Sequence, residues 1–207
     1  MRHFERGQSP MYLQDAARHC PNWDAFARMH EHGLAGDELY EKQHHYCAYC
    51  EIHMEHKSDG HIEHLARRSD FPQSTFDWNN MFFSCNHKDS CGNYKDNHRI
   101  KFDFRDIVDP SKENPQDFFA FDRFGHVFPK ADLPEMEKRR ASETIRVFNL
   151  DGTERLLGLR RQAVQAVAAF LQCDAHPDTT VIDQFLEMVG DADCISVYYT
   201  LLDRRMP

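Results

Sequence analysis

Residues 47–70 read CAYCEIHMEHKSDGHIEHLARRSD, and the fold turns on whether this stretch is one metal site or two. It opens on Cys47-x2-Cys50, the spacing of a zinc knuckle, and passes His53 and His56. It then sets Glu63 and His64 side by side ahead of Arg67 and Arg68. A structural zinc takes four nitrogen or sulfur ligands, commonly as two pairs from separate segments. The second pair lies beyond the stretch, in Cys85-x5-Cys91. Four thiolates close the tetrahedron and leave no open position, so such a site holds the fold and does no chemistry. His53 and His56 are then surplus to the zinc, and the loop 52–60 reads as a tether. The remaining cysteines, Cys20, Cys173 and Cys194, read as core residues on helical faces.

The rest of the chain sets the bounds. With 207 residues, 41 % of them hydrophobic, it is long enough for a domain with its own core. The opening MRHFERGQSPMY lacks the apolar run of a signal peptide, and no window reaches the ~20 apolar residues of a spanning helix. These features predict a soluble cytoplasmic protein with no membrane partner. Seven cysteines in a reducing compartment favour metal over disulfides. The formal charge of −9 is unlike that of a stand-alone nucleic-acid binder, but residues 61–105 carry seven basic and six acidic side chains. The acid lies elsewhere, on surfaces free to face a partner.

Ser9-Pro10 predicts a helix start, with Pro10 at the first helical position and an end near Cys20 before Pro21. A second short helix is expected over 23–30, broken by Gly33 and Gly36, with DELYEKQ forming last turns before the cysteines. Between residues 46 and 101 periodicity is poor, which suits a compact metal-held unit. Two aromatic runs around Arg123 to Gly125 predict a hairpin. From Thr153 the pattern turns helical, with Leu156, Leu159, Ala163, Val167, Phe170 and Leu171 at three- and four-residue spacing. Asp178 or Thr179 caps a further helix that Gly190 ends, and a last one puts Cys194, Val197, Tyr198 and Leu201 on one stripe.

Between the cysteine pairs sit HIEH and then FDWNN, and the last cysteine opens CGNYKD, where a helix starts. A carboxylate beside a histidine at a strand end, an asparagine in the next loop and a polar residue on a short helix are able to hold one divalent cation beside a water nucleophile. That is an arrangement for phosphodiester hydrolysis, with histidine as general base and the cation stabilising phosphate charge.

Cys47, Cys50, HIEHLARRS, FDWNNMFFSC and CGNYKD together resemble the zinc-containing HNH endonucleases of the ββα-metal class. With ETIRVFNLDGTERLLGLRR downstream, the chain is similar to the PtuB-type HNH effectors of Septu and retron anti-phage systems. The resemblance implies an α+β fold in three parts: an N-terminal helical segment 1–45, a zinc-containing nuclease core 46–105, and a hairpin with C-terminal helices over 106–207, packed as one domain. It implies His64 as general base, Glu63 as ligand of a catalytic Mg²⁺ or Mn²⁺, Asn80 as the residue that steadies the histidine loop, and Cys47, Cys50, Cys85 and Cys91 as ligands of a structural Zn²⁺. Trp78 and Phe82 anchor that loop. Many members carry a histidine just after the last cysteine, where Gly92 and Asn93 stand here; Asn93 is the expected substitute ligand, with His61 and His87 as rivals. Arg67, Arg68 and Lys95 are expected at phosphates. A PtuA-type ATPase, a retron reverse transcriptase and its msDNA are the implied partners, and the nucleic-acid substrate is DNA by default or an RNA such as tRNA. The reading from another class is a non-catalytic zinc-knuckle adaptor for nucleic acid or protein.

Overall fold

The computed structural model describes residues 1–174 and 176–206 and has a mixed α+β architecture. At its centre β1 (Gly60–His64) pairs antiparallel with β2 (Met81–Cys85), in a register running from Gly60 opposite Cys85 to His64 opposite Met81. The sequence MFFSC is buried at every position, so β2 reads as a continuous apolar run without alternation. Residues 65–80 join the two strands, and Trp78 and Phe82 are buried as expected. The outer edge of β2 is closed by a side chain. The buried Gln43 amide donates to the Phe83 carbonyl and accepts from the Phe83 N–H, each at 2.8 Å. An edge left open there would be a template for pairing with another chain.

Helices cover both faces of this hairpin. Successive strand residues point to opposite faces. Ile62 and Phe83 lie under α3 (His30–Lys42), whose Gly36 stands against them. Glu63 and Ser84 lie under α4 (Cys91–Asn97), whose Gly92 fits against both. The N-terminal stretch is tied on by Arg6, which is buried and donates from Nη1 to the carbonyls of Trp78 (2.9 Å) and Met81. Burial lowers the Arg6 pKa to about 10.

Three expectations are corrected in this half. The first helix, α1 (Met11–His19), begins one residue after Pro10, which sits at the cap position. The second, α2 (Trp23–Phe26), stops four residues short of His30. Gly33 and Gly36 do not break the chain but lie inside α3. A helical glycine costs about 1 kcal/mol, and the packing of α3 on β1 and β2 offsets it.

Downstream, β3 (Phe119–Phe121) and β4 (Val127–Pro129) form the expected hairpin. The helix α5 (Glu135–Val147) is one the pattern did not reveal: only Ala141, Thr144 and Val147 are buried, so its apolar stripe is too thin to read. Next come α6 (Glu154–Cys173), capped by Thr153, α7 (Thr179–Met188), capped by Asp178, and α8 (Ile195–Leu201). They share an apolar cluster with Tyr46, whose hydroxyl donates to the Gly190 carbonyl at 3.0 Å. Phe4, Leu13, Trp23 and Leu39 share a different cluster with Trp78, Phe82 and Phe148. The last stripe differs from expectation. Cys194 is the α8 cap with φ of 56°, Ile195 takes a buried place, and Leu201 is 37 % exposed. Cys173 is likewise exposed at the end of α6, not in the core. Among the described residues no helix is long and apolar enough to cross a membrane.

Candidate metal centre and groove

The knuckle turn over residues 47–50 is closed by backbone bonds from Glu51 N to Cys47 O (3.2 Å) and from Cys47 N to Ile52 O (3.1 Å). Cys85 ends β2 and Cys91 begins α4, so the hairpin and the first turn of the following helix carry the second pair to the knuckle. All four are buried and their sulfurs lie within 4.8 Å of one another. Cys47 Sγ is 3.7 Å from Cys91 Sγ, and Cys50 Sγ is 3.8 Å from Cys85 Sγ. A tetrahedron with Zn–S bonds near 2.3 Å has edges of roughly 3.8 Å, so the four sulfurs could hold a metal such as zinc. Burial raises the Cys47 thiol, but hydrogen bonds from the other three cysteines outweigh it and hold its pKa well below the ordinary value. Burial pushes Cys91 well above its own. A divalent ion bound by the four sulfurs would hold them as thiolates. His53 and His56 are not among these ligands.

The second locus is a groove of about 1170 Å³ running past β1 between the start of α2 and the end of α4. Glu63, His64, Asn93, Arg67 and Arg68 line it, together with Trp23, Arg99 and Lys101, which the sequence did not single out. Adjacent on the strand, Glu63 and His64 face opposite sides of the hairpin. His64 is 5 % exposed and sits edge-on to the Trp23 ring, with centroids 4.5 Å apart. Its Nε2 is 2.9 Å from the Thr75 carbonyl oxygen. A carbonyl only accepts, so Nε2 carries the hydrogen and the lone pair of the neutral ring is on Nδ1. Burial depresses the His64 pKa to about 4, with smaller contributions from Arg68 and Lys95. Asn80 holds the loop that follows: its Oδ1 accepts from Ala66 N at 2.7 Å, and its Nδ2 donates to the carbonyls of Ala66 (2.9 Å) and Ser74 (3.0 Å).

Glu63 is not the open ligand the sequence led us to expect. It is 2 % exposed; Tyr49 Oη donates to its Oε2, and Lys95 Nζ lies 2.6 Å from its Oε1. The Lys95 approach falls outside hydrogen-bond angles, so it is an ion pair. Burial and the Glu63 charge together raise the Tyr49 pKa well above the ordinary phenol value. Lys95, expected at phosphates, is 0 % exposed and is corrected to an internal charge. Arg67 is largely internal too. Its Nε donates to Asp96 Oδ1 (2.9 Å) and its Nη2 to the carbonyls of Lys95 and Ile100, bracing the end of α4. Arg68 is exposed and lies over Trp23 at 5.3 Å. Of the rival ligands, His61 lines the groove but bonds Asn86 Oδ1 at 3.0 Å, and His87 lines a separate hollow with His53.

Among the described residues, the four cysteines are the one group of three or more His, Cys, Asp or Glu side chains placed to share an ion. The donor set expected to take a catalytic Mg²⁺ or Mn²⁺ therefore does not fit one here, because Glu63 is already engaged on both oxygens. Tyr49 and Trp23 were illegible as site residues: one sits between two cysteines, the other in a helix remote in sequence. Compared with protein-family models and with curated proteins, the chain matches none, so the reading of this site rests on its own geometry.

Proposed function

We propose that this chain hydrolyses phosphodiester bonds in nucleic acid, with His64 as general base. The observation that carries the reading is the tautomer of His64: the Thr75 carbonyl takes the Nε2 hydrogen and leaves Nδ1 as the basic nitrogen of a groove-lining ring. With the pKa near 4 the ring is neutral at neutral pH but a weak base, and a phosphate anion bound beside it would raise its proton affinity. In the reaction Nδ1 takes a proton from water as the water oxygen bonds to phosphorus, and the bond to the bridging ester oxygen breaks. Arg68, Arg99 and Lys101 supply cations for phosphate contacts on a groove wall that also carries Asp24, Asp70 and Asp96. The four cysteines support a structural Zn²⁺ that would hold the strand ends and α4 together. The strand, strand, helix order of β1, β2 and α4, with the second cysteine pair at the end of β2 and the start of α4, supports the HNH resemblance. That resemblance extends the reading to a toxic effector of a Septu- or retron-type anti-phage system, working beside a PtuA-type ATPase and, in the retron branch, a reverse transcriptase with its msDNA.

The test is cleavage of duplex DNA and of total RNA by the zinc-loaded protein, alone and with its ATPase partner. His64→Ala is expected to lower cleavage of the preferred substrate by about 10²-fold or more. Equal cleavage by the variant would remove His64 from the role and the reading with it. The engagement of Glu63 favours a second reading, a non-catalytic zinc-knuckle adaptor. It predicts that His64→Ala leaves cellular protection intact while Cys47→Ser abolishes it.

A further inference from the structure

The ammonium of Lys95 is surrounded by oxygens in the way a bound cation would be. Nζ lies 2.6 Å from Glu63 Oε1, 2.8 Å from Asp96 Oδ1, 2.8 Å from the His64 carbonyl oxygen and 3.5 Å from that of Leu65. It is fully buried, and the strand end that carries His64 supplies two of these oxygens. A lysine is almost never fully buried unless paired, and here two carboxylates pair it. Arg67 Nε donates to the same Asp96 oxygen, Oδ1, at 2.9 Å. Two carboxylates and two cations make a cluster that is already neutral.

We infer that the Lys95 ammonium is the resident cation of the Glu63 centre, occupying the position a divalent ion would take. Glu63 has no freedom to turn elsewhere. Gly92 packs so closely that a Cβ there would meet Glu63 Cγ at 2.3 Å, and Tyr49 holds the second oxygen. A divalent ion entering the cluster would meet the Lys95 ammonium and the Arg67 guanidinium at close range, and their charges would repel it. Lys95 is thus a positioning residue. It fixes the end of β1, and with it His64, by a charge built into the chain. The inference rests on the nuclease reading only in taking Glu63 as the place where a cation is needed.

Mn²⁺ binding tests it, read by electron paramagnetic resonance on the full chain with zinc in the four cysteines. The wild type is expected to bind no Mn²⁺ that Glu63→Gln removes. Lys95→Ala, which clears the oxygens of Glu63, Asp96 and the His64 carbonyl, is expected to gain one Mn²⁺ per chain, lost again in the Lys95→Ala/Glu63→Gln double variant. Wild-type Mn²⁺ binding that is lost in Glu63→Gln would overturn the inference. A folded Lys95→Ala that gains no ion would overturn it as well, since the oxygens would then not form a cation position. Should Lys95→Ala fail to fold, Lys95→Ser, which also clears the position and keeps a small polar group, takes its place. The wild-type arm needs neither variant. Loss of the nuclease reading through His64→Ala leaves the Mn²⁺ result standing, because binding is read without turnover.

Discussion

Asn80 shows how one side chain positions another here. Its three hydrogen bonds reach Ala66 and Ser74, on either side of the loop whose Thr75 carbonyl orients His64. Asn80→Ala removes all three and strands a buried N–H and carbonyl of Ala66. We expect a loss of about 2–4 kcal/mol, read as a lower urea midpoint with an unchanged slope. Stability equal to wild type would show that the loop is held by something else. The role of Asn80 was legible because its place in FDWNN resembles a known pattern. The engagement of Glu63 was not, since its partners Tyr49 and Lys95 come from a knuckle and a helix that only the folded chain brings together. The same packing explains a departure noted in the sequence. In the enzymes the sequence resembles, a histidine is common at this place, and here any side chain at position 92 would collide with Glu63.

At the scale of elements, the legible ones were those with many apolar residues at helical spacing. α6 and α7 carry such a pattern and side-chain caps at Thr153 and Asp178, whereas α5 is rich in charged residues and α3 hides two glycines that its packing tolerates. The hairpin β3–β4 was legible from its aromatic runs, but the fit of its turn against α6 was not. Gly125 has φ of +87°, and a Cβ there would come 2.4 Å from the Leu157 carbonyl oxygen and 3.0 Å from Arg161 N. Arg160 is buried behind it and donates to the Gly125 carbonyl at 2.6 Å. Gly125→Ala therefore meets an unfavourable backbone conformation and a clash with helix backbone at once. The expected cost is about 2–4 kcal/mol, measured by chemical denaturation, with the zinc content of the folded protein unchanged. Loss of zinc together with stability would mean that the turn supports the cysteine site from afar.

For the whole molecule the question is how far the metal centre holds the rest. Cys47, Cys50, Cys85 and Cys91 sit inside the apolar cluster that joins the N-terminal helices, the central hairpin and Phe148, and they bring together segments that share little regular structure. Zinc sites of this kind contribute about 10–16 kcal/mol, comparable to the about 5–15 kcal/mol by which a whole domain is stable. The cluster of α6, α7 and α8 is built differently. It is made of helix faces, with the stacked Phe170 and Phe185 rings 4.2 Å apart, and it meets the knuckle through Tyr46 and through Cys194 N, which donates to Glu51 O at 2.8 Å. Removing zinc with a chelator, or replacing Cys47 by Ser, is therefore expected to release the two halves unequally. Hydrogen exchange should find the amides of β2 losing protection by several orders of magnitude while those of α6 around Ala163 and Val167 keep a substantial part of theirs. If both lose protection together, the chain is one cooperative unit whose C-terminal helices depend on the cysteines. If β2 keeps its protection without metal, the apolar packing of the hairpin suffices, and the four cysteines serve something other than the stability of the fold.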